Sequence, residues 1–397
     1  MAHLHHMIAV GSLLLLVSVL ASKVAERFGV PVLLLFLGIG MLAGSDGPGG
    51  IAFSDAPLAQ SWGVAALAVI LFAGGLATPW PAIRPVFWSG LSLSTLGVAV
   101  STALVGGFAS WTLHVTWLEG LLLGAIVSAT DAAAVFSVLK SKKIGLQEPL
   151  VPLLELEAGS NDPMSVFLTL AFLQALTHPG YSAGHYLGFF LRQMALGGVL
   201  GFGFGRIMIV VVNRIRLNYD GLYPALVLAM ALFTYGATAS LDGNGFLAIY
   251  VAGVVMGRQS FVHKAAVRRF FDGLAWLMQI AMFIMLGLFV FPSRLPLVLG
   301  PGLIVALFLI GVARPASVFL SLSASALPWR QKAMVSWTGL RGAAPIILAT
   351  FPLVAGVQRA ELYFDLTFFI VLTSVLLQGP FIPWIATRLN VAVANEP

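Results

Sequence analysis

Apolar runs of about 20 residues recur along nearly the whole chain, and that recurrence decides what the chain can fold into. At about 1.5 Å of rise per helical residue, one such run crosses a hydrocarbon layer of about 30 Å. The sequence predicts thirteen spans, at roughly 7–28, 30–43, 61–78, 85–112, 116–139, 150–176, 184–212, 221–240, 243–258, 270–291, 297–325, 332–351 and 364–388. Hydrophobic residues make up 59% of the chain and charged residues 9%, against roughly 25% charged in a soluble domain. A soluble fold this apolar could not cover its own surface, so lipid is the expected solvent. The predicted fold class is an all-α polytopic membrane protein, a single transmembrane domain over residues 1–397.

The formal net charge of +6 does not point to nucleic acid, because the basic residues sit in short connections rather than on an aromatic-basic surface. With the N-terminus outside, the inner connections and span ends hold Lys23, Arg27, Arg84, Lys140, Lys142, Lys143, Arg206, Arg214, Arg216, Arg258, Lys264, Arg268, Arg269, Arg330, Lys332 and Arg388. The outer ones hold only Arg294 and Arg359. This is the positive-inside pattern, and it predicts a cytoplasmic C-terminus and a multi-pass protein of the cell (inner) membrane. Cysteine is absent, which excludes disulfides, thiolate metal sites and a cysteine nucleophile. The first run has no basic n-region before it and is expected to remain as a span. His3, His5 and His6 are assigned no function. The last span is followed closely by Pro397, so no cytoplasmic regulatory domain is expected in this chain.

Charges near the centre of a membrane are costly and therefore informative. The fifth span, LLLGAIVSATDAAAVFSVL, carries Asp131 about 12 Å from its inner end. Around it, Ser128, Thr130 and the alanines make a weak helix centre. An unwound segment is expected here, in which Thr130 offers oxygen ligands and Asp131 balances exposed helix-end dipoles. The sixth span, VPLLELEAGSNDPMSVFLTL, gathers Glu155, Glu157, Asn161 and Asp162 within eight residues. Asp162 lies about 18 Å from the inner end, near the midplane, and Pro163 loosens the turn before it. Glu155 is nearer the inner interface, where water can reach it. The twelfth span holds Arg341 about 13 Å in from Lys332, between the helix breakers Gly339, Gly342 and Pro345. An arginine at that depth needs an anion or a wet cavity. Glu157, at a comparable depth, is its expected ion-pair partner, and a bond from Arg341 to Asp162 is the competing arrangement. Arg314, followed by Pro315, is also buried and marks another irregular turn, with no evident partner.

Two interrupted helices in corresponding places of two halves point to an inverted-repeat transporter. Spans 1–6 and 8–13 are the expected repeats, each with its break in the fifth span and with span 7 inverting the second. Spans 4–6 and 11–13 form the expected transport core, and spans 1–3 and 8–10 the scaffold and dimer surface. A midplane carboxylate holds a cation when ionised and none when protonated, so the two ligands compete for it. If the core moves only when loaded, that competition becomes exchange. One Asp beside a neutral Asn161 predicts one charge traded for one, provided that Glu157 stays paired. The expected ligands of the transported monovalent cation are Asp162, Asp131 and Thr130, with Asn161 beside them and Ser128 and Ser160 as further candidates. H⁺ and Na⁺ or K⁺ are cargo, and no cofactor is expected. An intramembrane aspartyl protease built on Asp131 and Asp162 leaves Arg341 and the matched breaks unexplained, and although Gly-rich spans would fit a passive channel, a titratable midplane acid suits coupled exchange better.

The stretches TDAAAVFSVLK (130–140), ELEAGSNDPMSVFLTL (155–170) and GLRGAAPIILAT (339–350) resemble the cation–proton antiporter superfamily. The similarity is to its electroneutral branch, within it to the potassium/proton (NhaP-type) antiporters, and covers nearly all of the chain. It implies thirteen helices, a homodimer in the bilayer and an elevator-like core movement. It also implies cation and proton binding at Asp162 beside Asn161, Thr130 and Asp131 at a helix crossing, and a Glu157–Arg341 pair. This sequence departs from relatives that carry an acid at the position of Ala73 and an arginine at that of Ala77. It also has Ala158, with Ser160 nearby, where some sodium-binding relatives place a serine. Selectivity between K⁺ and Na⁺ therefore stays open at this point.

Overall fold

The computed structural model describes residues 2–28 and 32–394, and it is helical throughout apart from one small ribbon. Backbone polar groups facing lipid must be satisfied within their own segment, and helices do this. In chain order the helices are α1 (Ala2–Phe28), α2 (Val32–Ala43), α3 (Ala56–Ala77), α4 (Trp80–Leu113), α5 (Trp117–Ile126), α6 (Ala132–Ser141) and α7 (Leu150–Thr177). They continue as α8 (Ala183–Arg214), α9 (Leu222–Ser240), α10 (Gly245–Arg258), α11 (Lys264–Phe289) and α12 (Pro292–Ser321). The last three are α13 (Trp329–Trp337), α14 (Ala343–Val354) and α15 (Ala360–Arg388). Among the described residues seven of these, α3, α4, α8, α9, α11, α12 and α15, are long and apolar enough to cross a membrane by length and composition. The side chains of Arg27, His3 and His6 lie outside the described residues.

Local sequence explains the helix ends. Asp55 caps α3 by accepting from Leu58 N at 2.9 Å. Thr116 and Glu119 form a reciprocal capping box on α5, and Asn244 caps α10 through Leu247 N at 3.0 Å. The amide of Asn244 also donates to the Pro163 carbonyl at 2.9 Å, tying α10 to α7. The expected loosening at Pro163 does not interrupt α7, which runs unbroken through it. The irregular turn expected at Arg314 and Pro315 is a π-helical turn, Leu309–Ala313, just before them. A second, unanticipated π turn, Leu93–Gly97, sits in α4. The two helices meet nearby, where Ser92 Oγ donates to the Ser321 carbonyl at 2.8 Å. The run expected to begin near residue 270 starts at Lys264, because the face carrying Val267 and Phe271 is buried.

Packing positions the site. Helix α3 lies against α10 and α11, α2 against α11, and α8 against α10. Helices α5 and α7 pack together, as do α4 with α5, α12 with α15, and α14 with α15. Helix α14 also reaches across to α3. The ribbon pairs β1 (Ile144–Leu146) antiparallel with β2 (Ala392–Ala394), joining the connection after α6 to the chain after α15. Two apolar runs are split: α5 from α6 by residues 127–131, and α13 from α14 by residues 338–342.

Candidate functional site: a crossing of two broken helices

Breaking a helix inside an apolar bundle leaves amides and carbonyls that need partners. Here the two breaks supply much of what the other lacks. Asp131 N donates to the Leu340 carbonyl at 2.8 Å, so the extended segments cross and touch. The Asp131 carboxylate caps α6, accepting from Ala134 N at 3.1 Å. Its other oxygen lies against Gly342, the residue that begins α14. A Cβ on Gly342 would stand 2.3 Å from that oxygen. One carboxylate thus faces the positive N-terminal ends of two half-helices, where a negative charge is favoured.

The C-terminal, negative ends are met by arginines. Arg341, 1% exposed, donates through Nη1 to the Ser128 carbonyl and to the Ala129 carbonyl, the latter at 3.0 Å. It therefore closes the end of α5. Arg314 does the same for α13, donating to the Val335 carbonyl at 3.1 Å. Arg314 Nη1 also pairs with Glu157 at 2.5 Å, with the two side chains 5% and 2% exposed. This corrects the sequence-based pairing of Glu157 with Arg341. Glu157 is bound to Arg314, and Arg341 is held by backbone carbonyls rather than by either Glu157 or Asp162. Gly339 makes the arrangement possible, since a Cβ there would come within 2.6 Å of Arg314 Nε.

Asn161 Nδ2 donates to Thr130 Oγ1 at 2.6 Å, joining α7 to the first break. Asn161 Oδ1 and Asp162 Oδ1 are buried acceptors without a hydrogen-bond partner among the described residues. Thr130, Asp131 and Asp162 line one cavity of about 270 Å³, together with Glu155 and Ala158. Asn161 is not among the lining residues and reaches the wall through its bond to Thr130. Two candidates fall away from it. The Ser128 hydroxyl turns to the Ala125 carbonyl at 2.7 Å and to Ser165 Oγ at 2.9 Å, so it fastens α5 to α7. Ser160 is not among the lining residues. Of the two alanines that replace charges, Ala77 lines the cavity, whereas Ala73 is buried outside it.

The opposite wall comes from α3, α10 and α11, and sequence reasoning missed its polar groups: Thr78, Tyr250 and Gln279. Tyr250 Oη is buried without a hydrogen-bond partner among the described residues, and its ring packs on Gly159, one turn before Asp162. No polar pattern around Tyr250 distinguishes it in the sequence. Among the described residues the lining holds three carboxylates, those of Asp131, Asp162 and Glu155, and no lysine or arginine. A low-dielectric recess of one charge sign concentrates counter-ions. Its unpaired oxygens are hard ligands of the kind that an alkali cation takes.

Comparison with known proteins agrees with this architecture. The family model described as "Sodium/hydrogen exchanger, transmembrane" matches residues 12–388. The chain is 44% identical over 395 residues to a K(+)/H(+) antiporter NhaP2 of Shewanella oneidensis, covering 98% of this chain and 68% of that protein. It is 42% identical over 389 residues to a K(+)/H(+) antiporter NhaP of Alkalimonas amylolytica, with 98% and 68% covered. The fold superposes on the sodium proton antiporter MjNhaP1 from Methanocaldococcus jannaschii at pH 8 with a TM-score of 0.83. That match is 24% identical in sequence and covers 96% of this chain and 99% of the other. The chain belongs to the sodium/hydrogen exchanger family of transmembrane proteins.

Proposed function

We propose that this protein is a secondary antiporter that trades a monovalent cation, K⁺, for protons at Asp162. It is a transporter and not an enzyme. The observation that carries the reading is the buried, unpartnered oxygen of Asp162 beside the unpartnered Asn161 carbonyl, in a cavity without basic residues. Deprotonated, Asp162 offers oxygens to a cation, with Thr130, Asp131 and Asn161 at hand. Protonated, it is neutral and the cation leaves. Because Arg314 occupies Glu157 and helix ends occupy Asp131, a single deep carboxylate changes its charge, which favours an electroneutral cycle. The choice of K⁺ rests on the two relatives named above, at 44% and 42% identity.

The larger architecture belongs to the same proposal. Thirteen spans form two inverted six-span repeats, with the breaks at 127–131 and 338–342 at the fifth position of each. Spans 4–6 and 11–13 make the moving core, and spans 1–3 and 8–10 make the scaffold through which two copies pair in the bilayer. The alternation of Lys and Arg supports an outer N-terminus and a cytoplasmic C-terminus in the inner membrane. In that orientation the Asp162 cavity, which reaches Thr78 and Glu155, faces the cytoplasm.

Proton flux in proteoliposomes, driven by K⁺, Na⁺ and Li⁺ in turn, tests the reading. K⁺-driven flux is expected, and Asp162→Asn is expected to abolish it. Robust exchange in that variant would overturn the mechanism, and flux driven only by Na⁺ would overturn the cation assignment.

A further inference from the structure

The Asp162 cavity occupies only one end of the seam that contains it. Its walls include the C-terminal half of α3 from Leu67 to Thr78, α11 at Gln279, Met282 and Phe283, and the start of α14 at Ala343–Pro345. A second recess, of about 240 Å³, is lined by the other ends of the same three helices: Ala56, Phe289 and Leu353. Along α3 the nearest lining residues of the two recesses, Ala56 and Leu67, are about 17 Å apart. Between them the seam is shut. Ile347 of α14, 1% exposed, sits so close to Gly63 of α3 that a Cβ there would lie 2.8 Å from Ile347 Cγ1.

The second recess is charged. Arg294, Glu361 and Asp365 line it. Arg294 Nη1 is bonded to Glu361 at 2.8 Å, and its guanidinium lies 4.7 Å from the centre of the Phe291 ring. That pair cancels. Asp365, 7% exposed, has no hydrogen bond or ion pair among the described residues, yet it contributes to the recess wall. The recess therefore carries one uncompensated negative charge on a nine-tenths-buried carboxylate. Such a group is costly without a partner, and the empty partner position opens into a space that holds several waters at about 30 Å³ each.

We propose that the recess around Asp365 is a second cation-docking site, which takes a partly hydrated monovalent cation at the end of the seam opposite the Asp162 cavity. The Arg294–Glu361 pair flanks it without neutralising it. A cation held there stands where a seam opened at Gly63 and Ile347 would lead to Asp162. The role in transport rests on the exchange reading above, and with the N-terminus outside this face is external.

The chain contains no cysteine, so Ser54→Cys, on the exposed rim of the recess, gives a single probe in the full-length protein. In proteoliposomes, K⁺ in place of choline at constant ionic strength is expected to slow its reaction with a membrane-impermeant maleimide. Asp365→Asn is expected to remove that protection, and Asp365→Glu to keep it. In flux measurements Asp365→Asn is expected to raise the half-saturating K⁺ about fivefold, the factor for one lost charge at contact distance in a water-like medium. The rise is expected only when K⁺ is offered at the maleimide-labelled face. Unchanged protection in Asp365→Asn, or an equal rise from both faces, would overturn the site. Exchange surviving in Asp162→Asn would instead sink the underlying mechanism, while the protection experiment would still decide the recess.

Discussion

The sharpest test of the crossing asks which arginine Glu157 needs. Glu157→Leu strands Arg314 in a site where the two side chains are 5% and 2% exposed. Removing one member of a buried ion pair costs about 3–5 kcal/mol. Arg314→Met strands Glu157 at a similar cost, and it also releases the Val335 carbonyl from its 3.1 Å hydrogen bond. In Glu157→Leu/Arg314→Met neither charge remains, and the residual cost is that orphaned carbonyl, about 1–3 kcal/mol. The coupling in this double-mutant cycle is therefore expected to exceed about 2 kcal/mol. The control cycle pairs Glu157→Leu with Arg341→Met. Arg341 bonds to the Ser128 and Ala129 carbonyls, so these losses should add, with little coupling. Thermal melting in detergent, read as the amount of monodisperse protein that survives heating, ranks the variants. The Glu157/Arg314 double variant should melt above either of its parents. The Glu157/Arg341 double variant should melt below both. The reverse ranking would refute the assigned pairing and return Glu157 to Arg341.

Two further substitutions probe the breaks themselves. Gly342→Ala places a methyl where the Asp131 carboxylate now sits, 2.3 Å from its oxygen, so the acid must leave the ends of α6 and α14. Exchange is expected to fall at least tenfold, and wild-type flux in this variant would show that Asp131 does not need that position. Arg341→Leu leaves two buried carbonyls at the end of α5 without donors, a cost of about 1–3 kcal/mol each. A lowered melting temperature with exchange lost is expected, and unchanged melting would mean that other groups satisfy this helix end.

Depth was legible in the sequence, and direction around a helix was not. A rise of about 1.5 Å per residue places Asp131, Glu157 and Arg341 at similar levels without a structure, and the structure brings all three to one crossing. The choice between Arg341 and Arg314 depends on which way each points. The π turn at Leu309–Ala313 adds a residue to the helix and turns everything after it by about 100°. Arg314 is the next residue, so ideal helical spacing along α12 cannot aim it at Glu157. Arg341 lies in extended chain, where no helical period applies, and the carbonyls left at the end of α5 are nearer than any acid. Tyr250 and Thr78 were invisible for a different reason. They are ordinary polar residues on α10 and the end of α3, and only the packing of Tyr250 on Gly159 and the cavity shared with Asp162 give them meaning.

The corrected pairing makes a single working acid easier to argue, not harder. Three carboxylates line the cavity, and exchange of one charge for one requires that only one change state with the cargo. Asp131 is committed through Ala134 N and by its contact with Gly342, so its carboxylate is held between two half-helix ends. Glu155 lies about two helical turns from Asp162 towards the start of α7, half-buried in the cavity wall. Glu157 would have been a fourth participant had Arg341 been its partner, because Arg341 sits in the break that any movement of the crossing must disturb. With Arg314 as partner, the pair joins α7 to α12 and, through Val335, to α13. All three helices belong to the proposed moving core, so the pair can travel intact while Asp162 alone changes its ligand.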